Sequence, residues 1–301
     1  MKIIKLNGNP IEHNTVAAIG FFDGVHLAHK ELIRKTIEIG KSKKLKKAVI
    51  TFDVHPKSIL FDLDYYYLTP LENKIKQFKE FDLDYIYVIE FSKQKALLTP
   101  KQFIEMYLKN IDTIVCGFDF KFGVRGSGNV NTLLLDGRFK TIVIKEVTYK
   151  GYKVGSTHIR DLIRSGQVDK VKEVLGDYYS ITGEVIHGSK KGRVIGYPTA
   201  NISTNDYYFP KRGVYITLTK VNDIWYQSMT SVGHNPTLNC RIDLSVESYI
   251  LSFDKEIYGK TIEIKFIKRL RDEIKFPSLE DLIKEIDNDK VNTINYFKDN
   301  Q

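Results

Sequence analysis

The chain has 301 residues, 42% of them hydrophobic and 28% charged, a profile that suits a folded protein with room for two domains. It holds no apolar run of the ~18 residues a membrane span needs and no secretory core near the start, so a cytoplasmic chain is expected rather than a membrane or secreted one. The net charge of +9 leaves nucleic acid or small polyanions such as ATP as partners, and Cys116 and Cys240 lack metal-ligand spacing.

Residues 16–29 carry the densest information. An apolar run ends at Gly20, a turn containing Asp23 and Gly24 follows, and His26 and His29 precede Leu32, Ile33 and Ile37 at helical spacing. The pattern predicts strand, tight turn and helix, with both imidazoles in or near the first helical turn. A helix N-terminus with free N–H groups favours phosphate, and glycine lets backbone approach a ligand closely. A βα turn with two surface histidines fits the same spacing. The lysine-rich stretch Lys41–Lys47 reads as a solvated helix end.

Continuous apolar runs at 48–52, 85–89, 113–116 and 141–144 suit strands buried on both faces of a parallel sheet. Helical segments lie between them, near 70–80 and 100–110, opened by Thr69-Pro70 and Thr99-Pro100. This alternation predicts a doubly wound α/β domain with its site at the carboxyl ends of the strands. Two further helices are expected, from Ser156-Thr157 to Gly166 and from Val168 to Leu175, before a boundary near 176–182. The expected domains are 1–180 and 181–301.

The second half alternates with period two, through Val214, Ile216 and Leu218 and again through Ile262, Ile264 and Phe266. Such strands are antiparallel with one solvated face and suggest a small barrel or sandwich. A last helix is expected over 278–297, capped by Ser278 with Asp281 three residues on, its stripe formed by Leu279, Leu282 and Ile286.

Several segments could carry chemistry. His55 and Pro56 close one strand, and Phe118, Phe120 and Phe122 interleave with Asp119 and Lys121 after another, as a flat aromatic ligand or a packed edge strand would require. Arg160 follows Ser156 and Thr157 and suits a phosphoryl charge; an ordinary capped helix fits equally. In the second half Gly188, Gly192 and Gly196 alternate with Lys190, Lys191 and Arg193, either a phosphate-wrapping loop or a basic hairpin. Thr199 and Asn201 are two apart on extended chain, so their oxygens point one way and can ligate Mg²⁺ brought by ATP. Glu247 lies on an alternating strand, where a carboxylate can take a hydroxyl proton, although an ordinary exposed strand glutamate fits the residue better by itself.

These motifs resemble the bacterial bifunctional riboflavin kinase/FMN adenylyltransferase family, also called FAD synthetase. The first half is similar to HxGH nucleotidyltransferases through Gly20–His29, Thr51–Pro56 and Ser156-Thr157-x-Ile159-Arg160, with Ala28, Val54 and Gly155 replacing the usual glycine, proline and serine. The second half resembles the riboflavin kinase module through Gly183–Asn201, Pro210–Tyr215, Asn235-Pro-Thr237, Val246-Glu247, Tyr258–Lys260 and Arg269–Arg271. The resemblance implies a Rossmann-like domain followed by a six-stranded antiparallel barrel with a C-terminal helix. It implies phosphorylation of riboflavin to FMN, then adenylylation of FMN to FAD with release of pyrophosphate. His26, His29, Arg160 and Glu247 would be catalytic. Gly20, Phe21, Asp23, Gly24, Ser156, Thr157, Gly188, Lys190, Gly192 and Gly196 would bind nucleotide. His55, Pro56, Asp119, Phe120, Arg125 and Arg271 would bind flavin, and Thr199 and Asn201 would hold Mg²⁺.

Riboflavin, FMN and ATP are then the expected partners, with no nucleic acid or membrane, on a monomer or weak homo-oligomer. Two competitors are a working adenylyltransferase with a silent kinase half, and a flavin-sensing RNA-binding regulator suggested by the charge. The sequence offers no RNA-binding module for the latter.

Overall fold

The runs 15–19 and 85–89 are buried at every residue because both of their faces are covered. The computed structural model describes residues 1–7, 11–188, 191–203, 206–234 and 244–300. They form two compact units, Met1–Ser156 and Thr157–Gln301.

The first unit is built on six parallel strands: β1 (Lys2–Lys5), β2 (Thr15–Ile19), β3 (Lys46–Phe52), β4 (Tyr85–Ile89), β5 (Ile111–Gly117) and β6 (Lys140–Ile144). Their order is β1-β4-β3-β2-β5-β6. Helices α1 (Leu27–Lys43), α2 (Pro56–Phe61), α3 (Leu71–Phe78), α4 (Pro100–Tyr107) and α5 (Val130–Asp136) surround it. Successive strand residues feed opposite cores. Val16, Ala18, Val49, Ile86 and Val88 pack with Leu32 and Ile33 of α1 and Phe78 of α3. Ala17, Ile19, Ala48, Ile50 and Cys116 pack with Phe103 and Ile104 of α4 and Leu133 of α5.

Thr99 caps α4 in a reciprocal pair with Gln102. Thr69 does not cap α3: Pro70 takes that position, and the Thr69 N–H donates to Asp23 Oδ1 at 3.1 Å. The chain order reverses between β2 and β5, which opens a crevice at their carboxyl ends. The lysine-rich stretch sits at the opposite end of the sheet, where Lys41 and Lys47 pair with Asp82 and Lys43 with Asp112.

The second unit contains α6 (Ser156–Ser165) from Thr157 onward, α7 (Val168–Leu175), β7 (Tyr179–Ile186), α8 (Lys191–Val194), β8 (Ala200–Ser203), β9 (Gly213–Val221), β10 (Ile224–His234), β11 (Leu244–Ile250), β12 (Thr261–Arg271) and α9 (Leu279–Asp299). The six strands close an antiparallel barrel in the order β7-β8-β11-β10-β9-β12. The buried stripe Val168, Val171, Val174 and Leu175 packs α7 on β7 and β12, so this helix, ahead of the expected boundary, lies within the barrel unit.

On β12 the alternation behaves as expected, with Ile262, Ile264 and Phe266 buried. On β9 the polar set is also buried: Thr217 and Thr219 share a face with Phe266 and Ile264 across the ladder. Their hydroxyls bond to those of Ser228, Thr230 and Ser248 at 2.7–2.9 Å, so the barrel interior satisfies them without water. The opposite face, with Val214 and Met229, looks toward α9. Ser278 caps α9 through the Asp281 N–H at 3.1 Å and also donates to the Asp281 carboxylate. Leu282 and Ile286 face the barrel, whereas Leu279 is exposed.

Candidate active sites

At the carboxyl end of β2 the chain turns sharply at Gly20–His26. Phe22 and Val25 have φ of +59° and +42°, and Gly24 of +89°. For the β-branched Val25 this is a strained conformation, sustained here by burial. The anchor is Phe22, fully buried, whose ring packs edge-on against Phe78 and His29 at 5.6 and 5.1 Å. Asp23, also buried, accepts from the Thr69 N–H, and its carbonyl accepts from Ser156 Oγ at 2.8 Å.

His26 caps α1: its Nδ1 accepts from the His29 N–H at 3.4 Å. That bond places the imidazole proton on Nε2, free to donate to a ligand. The His26 and His29 rings stack with centroids 3.6 Å apart. Burial pushes His26 down to about 4, against the pull of Asp119, and holds His29 well below the usual imidazole range. Both rings are therefore neutral at pH 7 in the ligand-free site and offer hydrogen bonds rather than charge. His29 Nδ1 is shielded from solvent and has no hydrogen-bond partner among the described residues.

The end of β3 adds an aromatic wall. His55 caps α2, with Pro56 at its first position, and accepts from the Lys57 N–H at 3.1 Å. The His55 ring stacks on Tyr65 at 4.0 Å and meets Phe21 edge-on at 4.6 Å. Tyr67 supports the group through its hydroxyl, which accepts from the His55 N–H at 3.3 Å. Tyr65 and Tyr67 escaped the sequence reading; their signal was the run of three tyrosines at 65–67 in a short connection.

The end of β5 carries Asp119, paired with Lys153 at 2.6 Å. The phenylalanine row divides: Phe122 enters the core, Phe120 is half-buried and stacks on it, and Phe118 is exposed. Arg125 is exposed, with φ +52°. Thr157 is exposed in the first turn of α6, and the Arg160 guanidinium stands 5.1 Å from the Tyr208 ring centroid.

A buried lysine was also missed. Lys74 of α3 has no exposed surface, and its Nζ donates to the Phe21 carbonyl at 2.9 Å. Its signal was its place on the stripe Leu71, Ile75 and Phe78, which α3 turns inward.

The barrel holds a second site. Asn201 of β8 is directly opposite Glu247 of β11, so the two side chains share a face. Thr199 Oγ1 donates to Glu247 Oε2 at 3.1 Å. Asn201 Oδ1 is buried and has no hydrogen-bond partner among the described residues. The glycine segment crowds these residues. A Cβ on Gly188 would lie 2.5 Å from Asn201 Nδ2, and one on Gly192 would lie 2.4 Å from the Tyr197 carbonyl. Within this segment α8 forms one turn of helix. Gly196 has φ +85°, and Lys190 lies outside the described residues.

Thr199 and Glu247 line a cavity of about 330 Å³ under α9. Its apolar walls come from Met229, Tyr249, Phe276, Leu282 and Ile286. Arg271 borders it and is held in two directions by Asp289 of α9, with Nη2–Oδ2 at 2.7 Å. Tyr197 closes the same wall through a hydrogen bond from its hydroxyl to Asp287. Among the described residues, no group of three or more His, Cys, Asp or Glu is arranged to hold a metal.

Family models described as FAD synthetase and riboflavin kinase match residues 9–158 and 175–297. The chain is 40% identical to a bifunctional riboflavin kinase/FMN adenylyltransferase of Listeria monocytogenes, covering 94% of this chain and 93% of that one. It is 38% identical to the protein of the same name from Bacillus subtilis, covering 94% and 92%. The chain belongs to the bifunctional riboflavin kinase/FMN adenylyltransferase family. A solved structure from Streptococcus pneumoniae, described as a macrolide-efflux protein, matches with TM-score 0.85 and 31% identity over 97% of this chain and 99% of that one. No helix among the described residues is long and apolar enough to cross a membrane. The two family models fall on the two architectures described above, the FAD synthetase match on the parallel sheet and the riboflavin kinase match on the barrel.

Proposed function

We propose that the barrel converts riboflavin to FMN and that the parallel-sheet unit converts FMN to FAD, each with ATP. The observation that carries this reading is the Thr199–Glu247 hydrogen bond in a cavity otherwise walled by apolar and aromatic side chains.

In the barrel, the flavin ring lies against Tyr249, Phe276, Leu282 and Ile286, with Arg271 at its border, and the ribityl 5′-hydroxyl reaches Glu247. Glu247 takes the hydroxyl proton as that oxygen attacks the γ-phosphorus of ATP. The new O–P bond forms as the bond to the ADP oxygen breaks. Gly188, Lys190, Gly192 and Gly196 belong to the segment that wraps the phosphates. Thr199 and Asn201 fit Mg²⁺, since Asn201 Oδ1 is buried and unpartnered among the described residues. Both ligands are neutral, so the ion arrives with the nucleotide. When bound, Mg²⁺ neutralises charge on the transferring phosphoryl group.

In the parallel-sheet unit, an FMN phosphate oxygen attacks the α-phosphorus of ATP and pyrophosphate leaves. The nucleophile is already anionic, so positioning and charge stabilisation suffice. The turn Gly20–Gly24, the N–H groups at the start of α1 and the two neutral imidazoles donate to the phosphates. Ser156, Thr157 and Arg160 carry the remaining phosphate contacts on this reading. His55, Pro56, Asp119, Phe120 and Arg125 form the flavin side. The chain works in the cytoplasm as a monomer or weak homo-oligomer, without nucleic-acid or membrane partners.

Incubation with riboflavin, ATP and Mg²⁺, resolving flavins over time, tests the assignment. FMN should appear first and FAD should follow. FAD from added FMN without FMN from riboflavin would refute the kinase half.

A further inference from the structure

An ordinary hydrophobic residue at position 74 would complete the inward stripe of α3; a lysine there is costly unless its charge is used. Lys74 is fully buried, and its Nζ reaches the Phe21 carbonyl at 2.9 Å and stands 4.0 Å from the Phe21 ring centroid. Thr51 Oγ1 donates to the same carbonyl at 3.1 Å. That carbonyl belongs to the peptide entering the strained Phe22–Val25 turn.

We propose that Lys74 is a positioning residue for adenylyl transfer: by holding the Phe21 carbonyl it presets the phosphate-binding turn, and it places a fixed cation behind that turn. This rests on the adenylyltransferase reading of the unit. The charged groups facing Lys74 are Asp23 from the turn after β2 and Asp53 from the end of β3; His29 of α1 also feels its charge. Burial pushes Lys74 down to about 8, while the two carboxylates pull it back up. The ammonium is therefore charged at neutral pH and is lost as the pH rises past about 8. Burial is the main reason His29 stays neutral, and the charges of His26 and then Lys74 add to it.

The test uses the full-length chain and measures FMN-to-FAD and riboflavin-to-FMN conversion from pH 6.5 to about 9.5, a range chosen to bracket the Lys74 titration. The wild type should lose FMN-to-FAD activity as pH rises through about 8. Lys74→Met should lower kcat/KM for ATP in that step by about 10-fold to 100-fold, the range for a hydrogen bond from a charged group, and should lack the alkaline limb. Riboflavin phosphorylation should be unchanged. Thr51→Val should lower the same parameter by less.

Wild-type kcat/KM in folded Lys74→Met, or an alkaline limb that persists in it, overturns the proposal. Should that variant not fold, the wild-type profile decides, and a flat profile overturns it. Failure of the wild type to make FAD from FMN at every pH overturns the adenylyltransferase reading itself.

Discussion

The Thr199 hydroxyl donates to the Glu247 carboxylate across 3.1 Å, at the level of the barrel where Asn201 stands opposite Glu247. This contact orients one Glu247 oxygen, and on the proposed kinase reading the other takes the proton of the substrate hydroxyl. Glu247→Ala should lower FMN formation by about 100-fold or more, the usual contribution of a general base. Conversion of added FMN to FAD should persist. Loss of both activities in a folded variant would remove the two-site assignment.

Gly188 gives Asn201 its room. In Gly188→Ala the new methyl carbon falls 2.5–2.8 Å from the Asn201 amide, so that side chain must move. The expected result is a higher Mg²⁺ concentration for half-maximal riboflavin phosphorylation, with FMN-to-FAD conversion unaltered. A magnesium titration of both reactions checks it.

His29→Ala should impair FAD formation and leave riboflavin phosphorylation largely intact. An unchanged adenylylation rate would take His29 out of its role. The stacked pair also sets an acid limit on stability. The native state keeps His26 down to about 4, from an ordinary 6.5, chiefly through burial. Between these values the unfolded chain binds a proton that the native state refuses, so stability is full above 6.5 and falls as pH drops toward 4. The loss approaches about 3 kcal/mol from this residue. Calorimetry of ligand-free wild type and His26→Gln should show a shallower decline for the variant in that window.

Asp289 is buried on α9 and holds Arg271 through two of its nitrogens. Burial pushes its carboxyl up while Arg271 pulls it back down. Asp289→Leu would remove the two tightest hydrogen bonds of Arg271 and leave it Glu285 at 3.4 Å and the Asp272 carbonyl, at a cost of about 1.5–3 kcal/mol for lost hydrogen bonds to a charged group. Because α9 walls the cavity, a lower Tm should come with a raised KM for riboflavin. An unchanged KM would detach α9 from flavin binding.

What could be read from the sequence was what repeats locally or sits within a few residues. Strands buried on both faces announce themselves as apolar runs, and α7 was legible to the residue because its stripe ends in glycine. Helical spacing brought His26 and His29 together at the start of α1, while their stacking goes with the extended cap conformation of His26. Other features depended on partners distant in the chain. The register of β9 against β12 decides that Thr217 and Thr219 line the barrel interior, which no period-two pattern reveals. Lys74 is buried because Phe21 and Thr51, from two other strand ends, supply an acceptor and a neighbour for it. Asn201 comes opposite Glu247 only through the pairing of β8 with β11. Local sequence thus did not mark α2, α5, α8 or β1, nor Tyr65, Tyr67 or Lys74, but it marked most of the longer strands and helices. The tertiary structure decided which of them share a face, because strand register and helix packing are set by contacts far apart along the chain.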